Sequence, residues 1–161
     1  MAKLKRKAHG LYLTHGTTNT WSLIGKNIDD LSVEMNGSFE QTTDVTGETT
    51  TSDTGYQPQI SVEPYYADPT DDLYPFLLDL AMNRKSGDDA KAKMLEVIID
   101  DTEASKHEAW TEDVVIEISS YGGDTNGFQI VYNIWSDGNR TKGSVTFTDK
   151  QPTFTADSAT A

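Results

Sequence analysis

The chain has no cysteine among its 161 residues. That excludes a disulfide framework, a thiol nucleophile and any metal site built on sulfur. Long apolar runs are missing as well, and no stretch approaches the ~20 apolar residues of a membrane-spanning helix. The basic start, residues 1–10, does not lead into the roughly 7–15 apolar residues of a secretion signal, because His9, Gly10 and residues 14–20 break the run. The expectation is a soluble protein made in a cytoplasm, without contact with membranes. Cations are scarce: 13 Lys and Arg stand against 26 Asp and Glu, for a formal net charge of −13. A chain this acidic repels nucleic acid unless its few cations cluster.

Large aliphatics are also few. With 10 Leu, 9 Ile, 8 Val and 5 Phe, the sequence sits close to the compositional border of disorder, about one fifth for these residues. Two features point to order: 3 Trp and 7 Tyr, and apolar residues placed periodically. The length fits one domain. A small core beneath a polar surface suits a subunit that completes its burial in an assembly.

What the sequence does hold is a partition of charge. Four cations, Lys3, Lys5, Arg6 and Lys7, lie within the first nine residues. Between Asn27 and Asn83 there is no Lys or Arg, yet that stretch carries twelve acids. A solvated acidic surface is the usual meaning of such a run. In a β-rich region a one-signed stretch can also line a channel.

Most of the chain alternates with period two. Over residues 31–45, Leu31, Val33, Met35, Phe39 and Val45 share one face, and every residue of the other face is polar. That pattern predicts a half-buried antiparallel strand, with a bulge or bend near Gly37 given its length. Residues 59–66 alternate likewise. Between them, residues 46–57 are too polar to pack on a core. Seven Thr fall within residues 42–54, and the segment reads as a long, mobile hairpin loop. Leu73, Phe76, Leu77, Leu80 and Ala81 then form one apolar stripe, predicting a helix over about 72–84. Asp68, Thr70, Asp71 and Asp72 supply capping oxygens. Pro75 belongs in its first turn, and Gly87 lies past its end. Strands follow over 94–99, 113–119, 128–135 and 141–148, with turns at 122–127 and at Ser136-Asp137-Gly138-Asn139. From Lys150 the pattern lapses. The fold class is mainly β: an antiparallel β-sandwich or barrel with one packed helix. It forms a single domain over 1–150, with a flexible tail at 151–161.

No constellation carries a recognisable catalytic chemistry, so the chain is read as a non-enzyme without cofactor or metal. Asp53-Thr54-Gly55 matches the aspartic-protease tripeptide but sits in a Thr-rich loop, not between apolar strands that would hold two such acids together. The acid pairs Asp29/Asp30, Asp71/Asp72, Asp88/Asp89 and Asp100/Asp101 read as turns and caps, without the spacing of a calcium loop. His9, His15 and His107 form no zinc pattern. Gly122-Gly123 and Gly127 lie between strands with no Lys and no following helix, so they are no phosphate loop. Trp21, Trp110 and Trp135 read as core or interface residues, although an exposed row would make a sugar platform.

Several stretches, in this order and spacing, resemble the major tail tube proteins of long-tailed bacteriophages and prophages of Gram-positive bacteria. They are the basic start leading to the run from Trp21 to Glu34, the Thr/Glu/Gly-rich loop closing on Thr54-Gly55-Tyr56, and Tyr65-Tyr66-Ala67-Asp68-Pro69 opening a helix that ends in Met82-Asn83-Arg84. Glu108-Ala109-Trp110-Thr111-Glu112-Asp113-Val114, Ser120-Tyr121-Gly122-Gly123-Asp124 and Gly138-Asn139-Arg140-Thr141-Lys142-Gly143 complete the set. The resemblance implies a structural virion protein whose copies close sixfold rings that stack into a tube conducting DNA to the host. It implies tape measure, tail terminator and baseplate or distal tail proteins as partners, and DNA that passes without specific binding. An acidic bore fits this, since a basic one would hold phosphates through counterion release. The expected bore-facing acids are Glu34, Glu40, Asp44 and Glu63. The expected inter-ring contacts are Thr46, Glu48, Thr50, Asp53 and Tyr56 in the loop. The competing expectation is a secreted β-sandwich module that binds carbohydrate or protein.

Overall fold

The computed structural model describes residues 3–14, 21–25, 28, 31–99 and 106–157, the side chains of residues 63 and 64 excepted. A short 3-10 turn, Arg6–Ala8, leads into β1 (His9–Thr14), β2 (Ser22–Ile24), β3 (Val33–Glu34), β4 (Phe39–Thr43), β5 (Thr49–Asp53) and β6 (Gln59–Tyr66). The helix α1 (Tyr74–Met82) and a second 3-10 turn, Gly87–Ala90, precede β7 (Lys91–Ile98), β8 (His107–Asp124), β9 (Gly127–Thr148) and β10 (Gln151–Ala156). Eight strands make one sheet in the order β2-β1-β7-β8-β9-β6-β3, with β10 added beside β9; β4 and β5 pair separately. The sheet path ends at β2 and β3, which do not pair, so it is open and not a closed barrel.

Period-two alternation gives this sheet two buried faces of unequal size. On one face Leu11, Leu13, Ile24, Ile60, Val62, Met94, Ile116, Tyr132 and Ile134 pack into one cluster. That cluster draws on both ends of the strand order, so the sheet bends around it in a sandwich-like fold. Leu73, Leu77 and Leu80 of the helix region fill the same cluster. On the other face Leu95, Val97, Ala109 and Val145 form a second, smaller core with Tyr12, Phe147 and Phe154 against it. In β7 the even positions Ala92 and Met94 therefore serve one core, and the odd positions Leu95 and Val97 the other.

The helix is shorter than the predicted range of 72–84. Pro75 sits in the first turn, as its missing N–H requires. The acids ahead of it act through turns. Asp68 Oδ1 accepts from Thr70 N–H at 2.9 Å, and Asp71 Oδ1 accepts from Leu73 N–H at 3.2 Å. The other oxygen of Asp71 accepts from the Tyr65 hydroxyl at 2.7 Å, tying the start of the helix to the core. At the other end Lys85 N–H reaches the Leu80 carbonyl at 3.2 Å, the long bond of a Schellman cap. The left-handed position this cap needs is taken by Arg84, at φ 52°, and not by the expected Gly87.

Three expectations are corrected. First, Ser136-Asp137-Gly138-Asn139 is no hairpin turn. β9 runs straight through it, paired with β8 from Trp135↔Val115 to Thr141↔Thr111. Gly138 (φ 93°) and Asn139 (φ 56°) absorb the extra residues as a bulge. The bulge bends β9 between a half that pairs with β6 and a half that pairs with β10. Second, the glycine turn is tighter than expected: β8 continues to Asp124 and the strands close over residues 125–126. Third, residues 151–156 are a strand. Asp149 and Lys150 both take positive φ, 51° and 68°, the requirement of a two-residue hairpin turn whose twist matches its strands. β10 then pairs in register from Gln151↔Thr148 to Ala156↔Gly143. At Gly143 an added Cβ would stand 2.3 Å from the Thr155 carbonyl oxygen, so only glycine lets β10 come this close.

Candidate functional site

The feature left outside both cores is a projecting arm over residues 34–57. Its strands β4 and β5 pair from Phe39↔Asp53 to Thr43↔Thr49, and every residue of both is exposed. The predicted half-buried strand over 31–45 therefore splits. Leu31 is buried and Val33 half-buried, but from Met35 onward the apolar face of the pattern is uncovered. Part of the expected loop is ordered strand. Seven Thr give the segment its β propensity, and Thr43 with Thr49 and Gln41 with Thr51 join their side chains across the ladder at 3.2 Å.

Local chemistry explains where the arm bends and where it turns. Asn36 takes φ 50° and breaks the strand between Glu34 and Phe39. Gly37 admits the Phe39 ring, since a Cβ there would lie 2.6 Å from Phe39 Cε2. Phe39 meets Tyr56 edge-on at 6.3 Å, closing the base of the hairpin. At the tip Asp44 Oδ1 accepts from the backbone N–H of Thr46 (2.8 Å) and of Glu48 (3.2 Å). Those bonds, with the Thr46 hydroxyl first among them, hold the Asp44 carboxyl below its ordinary pKa. Val45 stands at the end of the turn, fully exposed.

The expected bore-facing acids do not gather into one cluster. Glu34 lies on the edge strand β3 opposite Gln59. Glu40 lies further along the arm on β4, opposite Ser52. Asp44 is committed to the turn. The side chain of Glu63 lies outside the described residues, as do His15, Asp29, Asp30, Asp100 and Asp101. Of the expected contact residues, Thr46 and Glu48 flank the tip and Thr50 shares a face with Glu40. Asp53 Oδ1 accepts from Gly55 N–H at 2.7 Å, and Tyr56 packs on Phe39. The arm thus brings together an acidic, Thr-rich surface with exposed Met35, Phe39, Val45 and Tyr56.

A second polar constellation has no signature in the sequence. Arg140 donates from Nη1 to Glu112 Oε1 at 2.8 Å and from Nη2 to Glu96 Oε1 at 2.6 Å. Its guanidinium also lies over the Trp110 ring, 5.6 Å from the centroid. The other oxygen of Glu96 pairs with His9 Nε2 at 2.6 Å, and the other oxygen of Glu112 accepts from Ser136 Oγ at 2.7 Å. These residues come from β1, β7, β8 and β9, and no spacing in the sequence marks them as neighbours. The Glu96 carboxyl is held below its ordinary value by the His9 hydrogen bond and then by Arg140. The network links strands beside the β9 bulge, which is a structural task. The tryptophans make no exposed row: Trp110 lies under Arg140, and Trp135 donates to Glu117 at 3.0 Å. Among the described residues no group of three or more His, Asp or Glu is placed to hold a metal ion. Nor is any helix there long and apolar enough to cross a membrane.

No family model and no curated protein matches this chain. Solved structures do. A subunit of the SPP1 tail tube, determined by solid-state NMR and cryo-electron microscopy, superposes with a TM-score of 0.64 over 92% of this chain and 82% of its own, at 14% identity. A protein of the anti-feeding prophage baseplate, from a sixfold-symmetrised cryo-electron microscopy structure, superposes at TM-score 0.47 and 8% identity, over 86% of this chain and 92% of its own. At these identities the likeness is one of fold, and the fold shared with the SPP1 tail tube subunit spans nearly the whole chain.

Proposed function

We propose that this chain is a structural subunit of a phage tail tube. Six copies close a ring, rings stack, and the bore conducts DNA to the host cell without binding it. The observation that carries the reading is the arm. A two-stranded hairpin exposed on every side stabilises nothing in its own subunit, yet its ladder, aromatic base and capped turn keep it an ordered, projecting hairpin. Ordering each residue costs about 1–2 kcal/mol, a cost offset when the arm buries itself repeatedly against neighbouring copies. The fold shared with the SPP1 tail tube subunit and the net charge of −13 support the same reading. Glu34, Glu40, Asp44 and Glu63 are proposed to make the bore acidic, and Thr46, Glu48, Thr50, Asp53 and Tyr56 to contact the adjoining ring. The protein would then reside in the virion tail, with tape measure, tail terminator and baseplate or distal tail proteins at its ends.

The arm itself supplies the test. Replacing residues 39–53 by an Asn-Gly turn is expected to keep the fold and to abolish assembly in sedimentation at high concentration. Normal assembly of that variant would refute the arm's role.

A further inference from the structure

We infer that the arm of one copy seats on a basic corner of the next copy, built from the 3-10 turn, β1 and β2. This rests on the tail-tube reading and adds the receiving surface. The charge partition of the chain becomes spatial here. The first 28 residues hold no acid, while the arm carries Glu40, Asp44, Glu48 and Asp53 without one cation. Lys3, Lys5 and Lys7 are exposed at the corner. Arg6 is anchored there, donating from Nη1 to the His9 carbonyl at 2.9 Å and from Nη2 to the Leu31 carbonyl at 2.8 Å.

Beside these cations lies a groove lined by Arg6, Lys7, His9, Tyr12, Leu23 and Ile99. No carboxylate is among its described lining residues; the nearest one the structure places there is Glu96, held by His9 at 2.6 Å and by Arg140. Leu23 and Leu4 stand exposed at the corner, 53% and 57%. The groove takes in Leu23 and Ile24 of β2, the end strand of the sheet, whose outer edge has no strand partner among the described residues. An apolar floor, a cationic rim and an open strand edge match the arm: Val45 for the floor, carboxylates for the rim, Thr-rich strands for the edge. Between copies that repel through their net charge, this corner is where an incoming acidic arm finds attraction and register.

The arm is not seated on the corner of its own chain, since every residue of β4 and β5 is exposed. Arg6 ties the corner to Leu31, two residues before β3 and the root of the arm. Tip-to-root contact is therefore heterologous, and a heterologous contact that does not close on itself propagates as a stack.

Charge-swap variants test this on the full chain. K5E/K7E and E48K change exposed side chains for which the structure gives no internal bond, so both are expected to fold as the parent does. Each alone should lose tube formation, and combining all three substitutions should restore it. The absence of native cysteine gives a second readout. In assembled protein under oxidising conditions, V45C/L23C should yield a ladder of covalent multimers, while V45C alone gives at most dimers. Parent tubes with charge variants that assemble normally, or with no ladder, would overturn the corner and leave the tail-tube reading intact. A parent chain that never assembles would overturn both.

Discussion

Arg140→Leu is expected to destabilise the subunit by about 2 kcal/mol. The substitution removes two charge-assisted hydrogen bonds, to Glu112 at 2.8 Å and Glu96 at 2.6 Å. Glu112 is only 5% exposed and is left with Ser136 Oγ alone. Stranding a buried charge costs about 3–5 kcal/mol. Arg140, however, is 43% exposed, so solvent screens part of each interaction and the lower figure applies. For a chain of this size about 2 kcal/mol lowers Tm by roughly 4–8 °C. Adding Glu112→Gln to the same chain should return part of the loss, because a neutral amide needs no counter-ion. The coupling between the two sites is read from a double-mutant cycle by thermal unfolding. The acid limb follows from Glu96. Its folded-state pKa is depressed from the ordinary 4.5, so its contribution is complete above about that pH and is lost as pH falls through the lower folded-state value. Arg140→Leu should flatten this acid limb. An unchanged Tm, or a double variant no better than Arg140→Leu, would refute the reasoning.

Gly143→Ala should lower stability by about 1–3 kcal/mol and expose residues 151–156 to amide exchange, because its Cβ meets the Thr155 carbonyl and the Phe154 ring. Arg84→Gly should raise Tm by roughly 2–4 °C, since the left-handed position costs a side-chain-bearing residue about 1 kcal/mol. Leu77→Ala, at a fully buried helix position, should cost about 2–5 kcal/mol in denaturant unfolding. Lysine at Glu34 and Glu40, both exposed, should leave Tm nearly unchanged and slow genome ejection from particles carrying the variant; an unaltered ejection rate would remove these residues from the bore.

The legible parts of the fold were those where one periodicity governs a segment. The stripe from Leu73 to Ala81 located the helix, and alternation located the strands at 94–99, 113–119 and 128–135. Two signals misled. Asp137-Gly138 is a strong turn signal, but positive φ serves a bulge as well as a hairpin, and only tertiary pairing with β8 decides between them. Residues 151–156 hold Phe154 amid polar neighbours, too weak a pattern to show a strand that depends on Gly143 opposite. On the arm, the Thr-rich composition and the bend at Gly37 were readable. Its exposure was not, because the alternation of 31–45 looks like that of a strand lying on its own core. The apolar face is real, but the single chain supplies no surface to cover it beyond Val33. The Arg140 network was invisible for another reason: its members are far apart in sequence and meet only through strand order.

On the proposed reading, the chain polymerises through its arm. Cryo-electron microscopy of the concentrated, purified chain tests it most directly. The expected result is tubes of stacked sixfold rings, each arm resting on the adjoining ring and acids lining the bore. A monomer at every concentration and ionic strength, absent also from phage particles, would contradict it.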